Sequence, residues 1–192
     1  MTDDRWLTAD QMSAWKKLIA VVELLPGTLE SQLRRDADLS HFEYFTMAML
    51  SEAPERTLRM TALALLTNST LARLSHVVSR LEYRDFVHRE PCAQDRRATN
   101  AALTPTGWAK VVTTAPGHVA TVLQNVIDQL TTADVADLDR IMGRILGALD
   151  PSNDLGSNQV DMVNEATMGD SLAQADHGAT HRTPSPGGRS DA

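Results

Sequence analysis

The stretch STLARLSHVVSRLEYR, residues 69–84, decides the fold that this sequence predicts. Wound as a helix at about 100° per residue, it has one apolar stripe, formed by Leu71, Leu74, Val78 and Leu81 with Val77 at its edge. The opposite side carries basic and short polar side chains, namely Arg73, His76, Arg80 and Arg84, with Ser79 and Ala72 beside them. The apolar stripe suits burial in a core. The basic side suits contacts to phosphates and base edges, and a solvated surface is the alternative.

The residues before this helix predict a helix-turn-helix. A short helix is expected from Ala62 to about Thr67, with Thr61 as its cap, and a polar turn follows it. Ser69 or Thr70 can cap the second helix, because a hydroxyl there accepts a hydrogen bond from a backbone N–H of the first turn. A short helix, a tight turn and a longer helix with a basic outer face are typical of this motif.

The residues after this helix predict a β-hairpin wing. Residues 85–90 and 98–103 have the composition of short strands, and the polar loop 91–97 joins them. Arg96 and Arg97 lie at the tip of the loop, and Asp95 is placed to brace one of them. A wing of this length can reach the neighbouring minor groove of DNA, where a narrow groove attracts arginine.

Composition predicts a mainly α-helical, cytoplasmic protein. The chain has 192 residues, of which 42% are hydrophobic and only 4% aromatic, and its apolar residues recur mostly with a helical period. No apolar run approaches the roughly 20 residues that cross a bilayer, and the first residues lack the features of a signal peptide. A single cysteine cannot form an internal disulfide.

The charge of the chain is unevenly distributed. The formal net charge is −7, but residues 56–97 carry 8 basic and 4 acidic residues, a net charge of +4. An acidic protein that contains one basic module can still dock on DNA through that module. The charge pattern therefore favours local rather than nonspecific binding of nucleic acid.

Apolar helices are predicted on both sides of a DNA-binding lobe that spans residues 56–104, which opens with a brief strand over 56–60. Thr8 and Gln11 form a capping box for the first helix, and Pro26 divides it into two pieces or kinks it. Ser40 caps a helix over residues 41–51. Thr104 and Pro105 begin a further helix that residues 115–118 interrupt, and residues 131–134 form another capping box for the last helix. Helices 8–35 and 105–150 exceed what the lobe needs for its own core, so we expect them to form a dimer.

Residues 151–192 differ in composition from the rest of the chain. Polar residues, Gly and Pro dominate there, and aromatic residues are absent. We expect this tail to be disordered, outside a folded region of 1–150. His177 and His181 have the i, i+4 spacing of metal ligands on a helix, but no helix is expected there, so no metal is predicted.

A chain of short motifs resembles the MarR family of winged helix-turn-helix transcription regulators. The motifs are LA at 63–64, TNST at 67–70, LSHVVSRLE at 74–82, FVHR at 86–89, DRR at 95–97, LT at 103–104 and Gly107. RWL at 5–7 and APGH at 115–118 are similar to an actinobacterial branch of the family. The resemblance covers roughly residues 5–150.

The resemblance implies a homodimer that binds a pseudopalindromic operator, with helix 69–84 in the major groove. Arg97 inherits the minor-groove role of the family's wing motif, and Asp95 the bracing role. Asp85 departs from the family, which usually has Gly where the recognition helix ends in a left-handed conformation. The candidate DNA-contacting residues are Ser69, Thr70, Arg73, Ser75, His76, Ser79, Arg80, Arg84, Arg89, Asp95, Arg96 and Arg97.

Many members of the family release DNA when a small aromatic or phenolic anion binds between the dimer helices and the DNA-binding lobe. The resemblance therefore implies an effector and favours a repressor. The candidate ligand residues, placed by rough position only, are Trp15, His41, Tyr44 and Arg59. Packing or a surface position is the alternative for each of them. An effector acts only through different affinities for the DNA-competent and DNA-incompetent dimers.

Catalytic motifs are absent from the sequence: it has no phosphate loop, HExxH motif or nucleophile elbow. We therefore predict that the protein is not an enzyme and has no cofactor. Cys92 lies near basic residues, which lower the pKa of a thiol, so redox sensing is an alternative to an inert, exposed thiol. A dimeric interaction module without DNA binding is the other alternative.

Overall fold

The computed structural model describes residues 5–92, 95 and 97–150. Three sequence predictions lie outside these residues: the disordered tail at 151–192 with its two histidines, the tip arginine Arg96, and part of the wing loop. Each helix of the described residues is too short or too polar to span a bilayer.

Helices dominate the described part of the chain. They are α1 (Ala9–Ala37), α2 (His41–Glu52), α3 (Met60–Leu66), α4 (Leu71–Tyr83), α5 (Pro105–Asn125) and α6 (Thr132–Leu149), with short 3-10 turns at Pro54–Arg56 and Ile127–Gln129. Three strands form one antiparallel sheet: β1 (Thr57–Arg59), β2 (Val87–Pro91) and β3 (Thr99–Leu103). The predicted mainly α fold with a helix-turn-helix and a wing is confirmed.

Side-chain caps begin most of the long helices, as predicted. Thr8 and Gln11 form a complete capping box on α1, and Thr131 and Asp134 form another on α6. Thr104 caps α5 by accepting the backbone N–H of Gly107. Each cap satisfies backbone donors that have no partner inside the helix.

The helix-turn-helix consists of α3 and α4. Thr70 rather than Ser69 caps α4, because the Thr70 hydroxyl accepts the backbone N–H of Arg73 at 3.2 Å. The predicted cap Thr61 is wrong: strand β1 runs directly into α3, and Arg59 is the residue before its first turn. The turn passes through Asn68, which has the left-handed φ of 45° that asparagine tolerates well.

The apolar stripe of α4 is rotated slightly from its predicted position. Leu74, Val77, Val78 and Leu81 are buried, whereas Leu71 is 48% exposed. Val77, predicted at the edge, therefore belongs to the core, and Leu71 does not. Residues 74, 77, 78 and 81 lie on one face of α4 and pack into the core, whereas Leu71 lies in the first turn, beyond the end of that face. That core also contains buried residues of α1, α2, α3, β2, β3 and α5.

The wing pairs β2 with β3, from Val87 opposite Leu103 to Pro91 opposite Thr99. The sheet has a third strand, since β1 pairs with the other edge of β3. The predicted brief strand at 56–60 is therefore β1. It ties the start of the helix-turn-helix to the wing.

Asp85 ends α4 in the left-handed conformation, with φ of 58°. Two hydrogen bonds stabilise the aspartate in the conformation that glycine usually adopts at this position. Thr104 donates its hydroxyl to the Asp85 carbonyl at 2.6 Å, and Thr106 donates its hydroxyl to the Asp85 carboxylate at 3.1 Å. The first turn of α5 thus offsets the strain of a side chain at positive φ.

Helix α1 runs continuously through Pro26 and α5 through Pro116, so the division of α1 into two pieces is wrong, and a kink at either proline stays a prediction. A proline removes one backbone hydrogen bond from a helix. Packing against neighbouring helices can stabilise the helix despite that loss. α5 packs on α1 and α2 here, and a side chain at Gly117 would come within 3.3 Å of the Gln32 amide.

The helices outside the lobe expose apolar side chains. α6 has no buried residue in the isolated chain. Large apolar residues exposed on α1, α5 and α6 include Trp15, Val22, Leu24, Val112, Val119, Leu123, Ile141 and Leu149. Faces of this kind usually pack against a partner.

Gly107 provides a test of how α5 is attached to the lobe. A Cβ at this position would lie 2.0 Å from the backbone oxygen of Phe86, which cannot move freely. We expect Gly107→Ala to lower the free energy of unfolding by about 1–3 kcal/mol, the usual cost of overpacking. Gly27→Ala is the control, because nothing lies within 4 Å of that position. Denaturant unfolding of both variants measures the difference, and equal stability would contradict the described contact.

Candidate nucleic-acid interface

The outward face of α4 follows directly from its buried stripe. Ala72, His76, Ser79 and Tyr83 lie opposite the buried residues, three or four positions apart, and all are exposed. Tyr83 is 93% exposed and is absent from the candidates named above. Tyr83 follows Ser79 by four residues and His76 by seven, and this helical spacing could have identified it from the sequence. The predicted arginines lie beside this face rather than at its centre.

The arginines on one flank of α4 contact residues at the junction between α1 and α2. Arg80 donates its Nε–H to Glu43 at 3.0 Å. Arg84 donates to the backbone oxygen of Asp38 at 2.8 Å and to its carboxylate at 3.3 Å. The Arg73 guanidinium lies over the ring of Phe42, 4.4 Å from its centroid. These contacts hold the three arginines at the rim of the outward face.

The other flank of α4 is joined to the wing by Arg89. Its guanidinium donates to the Glu82 carboxylate at 2.6 Å, to the Ser75 backbone oxygen at 2.7 Å and to the Ser79 hydroxyl at 3.1 Å. Its backbone N–H donates to the other Glu82 oxygen at 2.9 Å. Arg89 therefore connects β2 to two turns of α4. Because one Glu82 oxygen accepts from the backbone and the other from the guanidinium of Arg89, the carboxylate fixes both the strand and its side chain.

At the wing tip, Asp95 and Arg97 are both exposed. The Asp95 carboxylate accepts the backbone N–H of Arg97 at 3.0 Å, and the Asp95 carbonyl accepts the N–H of Ala98 at 2.9 Å. Asp95 thus orders the backbone of the turn that carries Arg97.

Two clefts border α4 and bring most of the candidate residues together. The wing cleft lies between α3, α4 and the wing, and its lining includes Ser75, Arg89 and Arg97 together with Thr61 and Thr99. The helix groove lies on the other flank, and its lining includes Arg34, His76, Ser79, Arg80, Tyr83 and Arg84. Arg34 of α1 was not predicted, because its sequence position is far from the motif. Ser69 and Thr70 lie at the first turn of α4, where the Thr70 hydroxyl is occupied by the cap.

A second polar cluster lies between α2 and α5. Two of the four predicted ligand residues belong to it, since the Tyr44 ring lies 4.7 Å and the His41 ring 6.3 Å from the ring of His118. Gln32 is buried beside Gly117. His118 and Gln32 were missed, because nothing in the sequence places α1 and α5 against α2.

The two other predicted ligand residues lie elsewhere. Trp15 is 17 residues before Gln32 on α1, roughly 25 Å along the helix axis. Arg59 lies on β1, where its Nη2 is 3.4 Å from the Cys92 sulfur. Of the four predicted ligand residues, therefore, only His41 and Tyr44 belong to the cluster within one chain.

Burial shifts the pKa values of the titratable groups in and beside this cluster. Desolvation lowers the pKa of His41 and of His118, and the proximity of His41 lowers that of His118 further. Desolvation raises the pKa of Tyr44 and of Glu52, and the Glu52 charge adds to the effect on Tyr44. Buried polar atoms without a hydrogen-bond partner in the described residues include Gln32 Oε1, His118 Nδ1 and Glu52 Oε2.

Cys92 is buried, so the predicted exposed thiol is wrong. The Cys92 backbone N–H donates to the Ala98 carbonyl at 3.0 Å, directly after the last β2–β3 pair, and the Cys92 sulfur lies 3.4 Å from Arg59 Nη2 on β1. Among the described residues, no group of acidic, histidine or cysteine side chains is arranged to hold a metal ion.

The fold is that of a winged helix-turn-helix protein, and arginines line both clefts beside α4, together with Asp38 and Glu43 in the helix groove. Sco3205 from Streptomyces coelicolor, a MarR family transcriptional regulator solved in complex with DNA, is 42% identical, with a TM-score of 0.75 over 80% of this chain and 96% of that one. AbsC from the same organism is 36% identical, with a TM-score of 0.72 over 76% of this chain and 97% of that one. The chain belongs to the MarR family of transcriptional regulators. Family membership confirms the prediction of a regulator rather than an enzyme.

A more distant structure shows the same fold. A mutant MarR from E. coli, complexed with operator DNA, is 20% identical with a TM-score of 0.62, covering 73% of this chain and 99% of that one. No family model and no curated protein matches the sequence.

The histidine cluster predicts how stability depends on pH. Because the pKa values of His41 and His118 are lowered on folding, the unfolded chain binds more protons. This contribution to stability is complete above the ordinary histidine pKa of about 6.5 and is lost as pH falls below it. We expect His118→Gln to reduce the loss of stability between pH 7.5 and 5.5. The limit for one proton is about 1.4 kcal/mol per pH unit, and solvent around these half-buried rings reduces it.

Thermal melting at the two pH values measures this effect. His88→Gln is the matched control, because His88 is exposed on β2 beside Glu90. If both variants followed the wild-type pH dependence, the cluster would not be the source of the pH sensitivity.

Proposed function

We propose that the protein binds double-stranded DNA sequence-specifically, with α4 in the major groove and Arg97 of the wing in the adjacent minor groove. The observation that carries the proposal is the exposed row of α4 between two arginine-lined clefts. A helix of this diameter fits the major groove, where side chains meet base edges. The 42% identical relative was solved in complex with DNA, which supports the same activity here.

The roles of the candidate residues differ with their contacts. His76, Ser79 and Tyr83 face outward and are the candidates for base edges. Arg34, Arg80 and Arg84 line the helix groove and are placed for phosphates at the rim of the major groove. Ser69, Thr70, Arg73 and Ser75 complete the proposed contact surface around the first turns of α4.

Arg89 is proposed as a structural arginine of the interface. Its guanidinium is already engaged by Glu82, Ser75 and Ser79, so it sets the angle between the wing and α4. Arg97 is the proposed wing contact, with Asp95 as its brace and Arg96 as a neighbour outside the described residues.

The proposal includes a homodimer. The exposed apolar faces of α1, α5 and α6 would be covered by a second copy, and residues 8–35 and 105–150 are the proposed dimerisation helices around the DNA-binding lobe at 56–104. A two-fold dimer recognises a pseudopalindromic operator whose half-sites lie about one helical turn apart. Because its target is the chromosome, we place the protein in the cytoplasm.

An effector is proposed to bind near His41, Tyr44 and His118, and to release the operator. The cluster lies between α2 and α5, and it contains aromatic rings and buried polar atoms that have no hydrogen-bond partner among the described residues, which suits a small aromatic or phenolic molecule. A ligand bound there would stabilise the form of the dimer in which the spacing of the two lobes does not fit the operator. The buried position of Cys92 limits access by oxidants and makes redox sensing the weaker alternative.

Arg97 tests the DNA-binding proposal. Selection from random-sequence duplexes with the wild-type protein identifies a binding site, and fluorescence anisotropy then measures affinity on it. We expect Arg97→Ala to weaken binding by about 1–2 kcal/mol and to lower the dependence on log salt concentration by about 1, since one phosphate or groove contact is lost.

Arg140→Ala is the control for this test, because it removes an exposed arginine of α6 that pairs with Asp137; size-exclusion chromatography verifies that this variant keeps the oligomeric state of the wild type. Equal affinities of the two variants would refute the wing assignment. Failure of the wild type to enrich any sequence would favour the interaction module without DNA binding.

The effector proposal is tested on the selected duplex. A panel of small aromatic acids and phenols is added to the wild-type complex, and release of DNA is followed by anisotropy. We expect a compound that releases the wild type to be at least about tenfold less potent on His118→Ala, because the ring against Tyr44 is lost. Equal potency on both proteins would place the effector site elsewhere.

A further inference from the structure

Glu43 is a buried acid that connects α2 to α4, the helix of the proposed DNA-binding surface. It lies in the first turn of α2, its side chain is only 6% exposed, and it faces Arg80 of α4. Buried carboxylates are costly unless they are paired and hydrogen-bonded. The contacts of this one therefore indicate what it does.

Both carboxylate oxygens of Glu43 are used. Oε2 accepts the backbone N–H and the hydroxyl of Ser40, each at 2.8 Å, which closes the capping box of α2. Oε1 accepts the Nε–H of Arg80 at 3.0 Å. Burial alone would raise the pKa of Glu43, but the hydrogen bonds from Ser40 and Arg80 hold it below the ordinary value. The group is therefore a charged and directional anchor at neutral pH.

The anchor restricts a side chain that is otherwise mobile. Arginine has a long flexible stem and five N–H donors in a planar fork. The contact with Glu43 engages the Nε edge of Arg80, while the Arg80 side chain remains 59% exposed in the helix groove with His76, Ser79 and Tyr83. The planar fork then has a defined orientation before DNA arrives.

We propose that Glu43 is a positioning residue for DNA recognition: it fixes Arg80 so that the paired terminal N–H groups of the guanidinium meet a pair of acceptors on the DNA. A phosphate and the N7/O6 edge of guanine both offer such a pair. Glu43 itself does not touch the DNA. The inference rests on the proposed DNA binding and names a determinant of it that lies outside α4.

A double-mutant cycle on the selected duplex tests the proposal. Glu43→Gln keeps the size of the side chain and an acceptor for the Ser40 N–H, but removes the charge that holds Arg80. We expect it to weaken binding about 5- to 30-fold, the equivalent of roughly 1–2 kcal/mol. We expect no further loss when it is combined with Arg80→Ala, because the two changes remove the same contact.

Ser40→Ala separates positioning from helix capping. It removes the capping hydroxyl and leaves the pair between Glu43 and Arg80, so a destabilised α2 alone would reproduce the Glu43→Gln defect in this variant. We expect Ser40→Ala to bind DNA like the wild type. Thermal melting of every variant ensures that binding is measured on folded protein.

Base substitutions in the selected duplex identify the acceptor. Loss of discrimination at one guanine in both Glu43→Gln and Arg80→Ala indicates a base edge, whereas an equal loss on all duplexes with a lower salt dependence indicates a phosphate. Additive losses in the double mutant, or an equal defect in Ser40→Ala, would overturn the proposal. Absence of any selected sequence for the wild type would instead overturn the proposed DNA binding.

Arg80→Lys supplies the test if Glu43→Gln fails to fold. Lysine keeps the charge but lacks the Nε–H and the planar fork. We expect Arg80→Lys to bind more weakly than the wild type, because lysine cannot form the paired contact, and wild-type affinity in Arg80→Lys would contradict a positioned guanidinium.

Discussion

The burial of one stripe of α4 is the constraint on which the rest of the structure depends. Leu74, Val77, Val78 and Leu81 lie in the core, and their rotation about the helix axis determines which residues face outward. Burying a side chain of this size stabilises a fold by about 1.5–3 kcal/mol, far more than an exposed ion pair. The polar contacts on either flank refine an orientation that apolar packing has already established.

Polar contacts then connect α4 to its neighbours on both flanks. Arg89 joins it to the wing through Glu82, and Arg80 joins it to α2 through Glu43. α2 also carries His41 and Tyr44 on the side that faces His118 of α5. One short helix therefore contacts both the proposed effector cluster and an arginine of the proposed DNA-binding surface, which gives a direct physical link between the two.

Local patterns in the sequence predicted most of the fold. Hydroxyl caps, such as Thr8 and Thr131, and hydrophobic periods act over a few residues, and the structure has both where they were predicted. Errors arose where tertiary packing overrides a local signal. Pro26 does not divide its helix into two pieces, and Leu71 lies outside the core although it continues the apolar spacing. The partners of Glu43, Gln32 and His118 come from distant parts of the chain, and no spacing rule relates them.

Methylation interference at guanine N7 on the selected duplex tests the central claim, that the outward face of α4 enters the major groove in both halves of a dimer. N7 lies in the major groove, so methylation there blocks a helix but not a minor-groove contact. We predict interference at two groups of guanines about 10 base pairs apart, on one face of the duplex. Interference confined to a single group, or none at any guanine of a tightly bound, guanine-containing site, would contradict this arrangement.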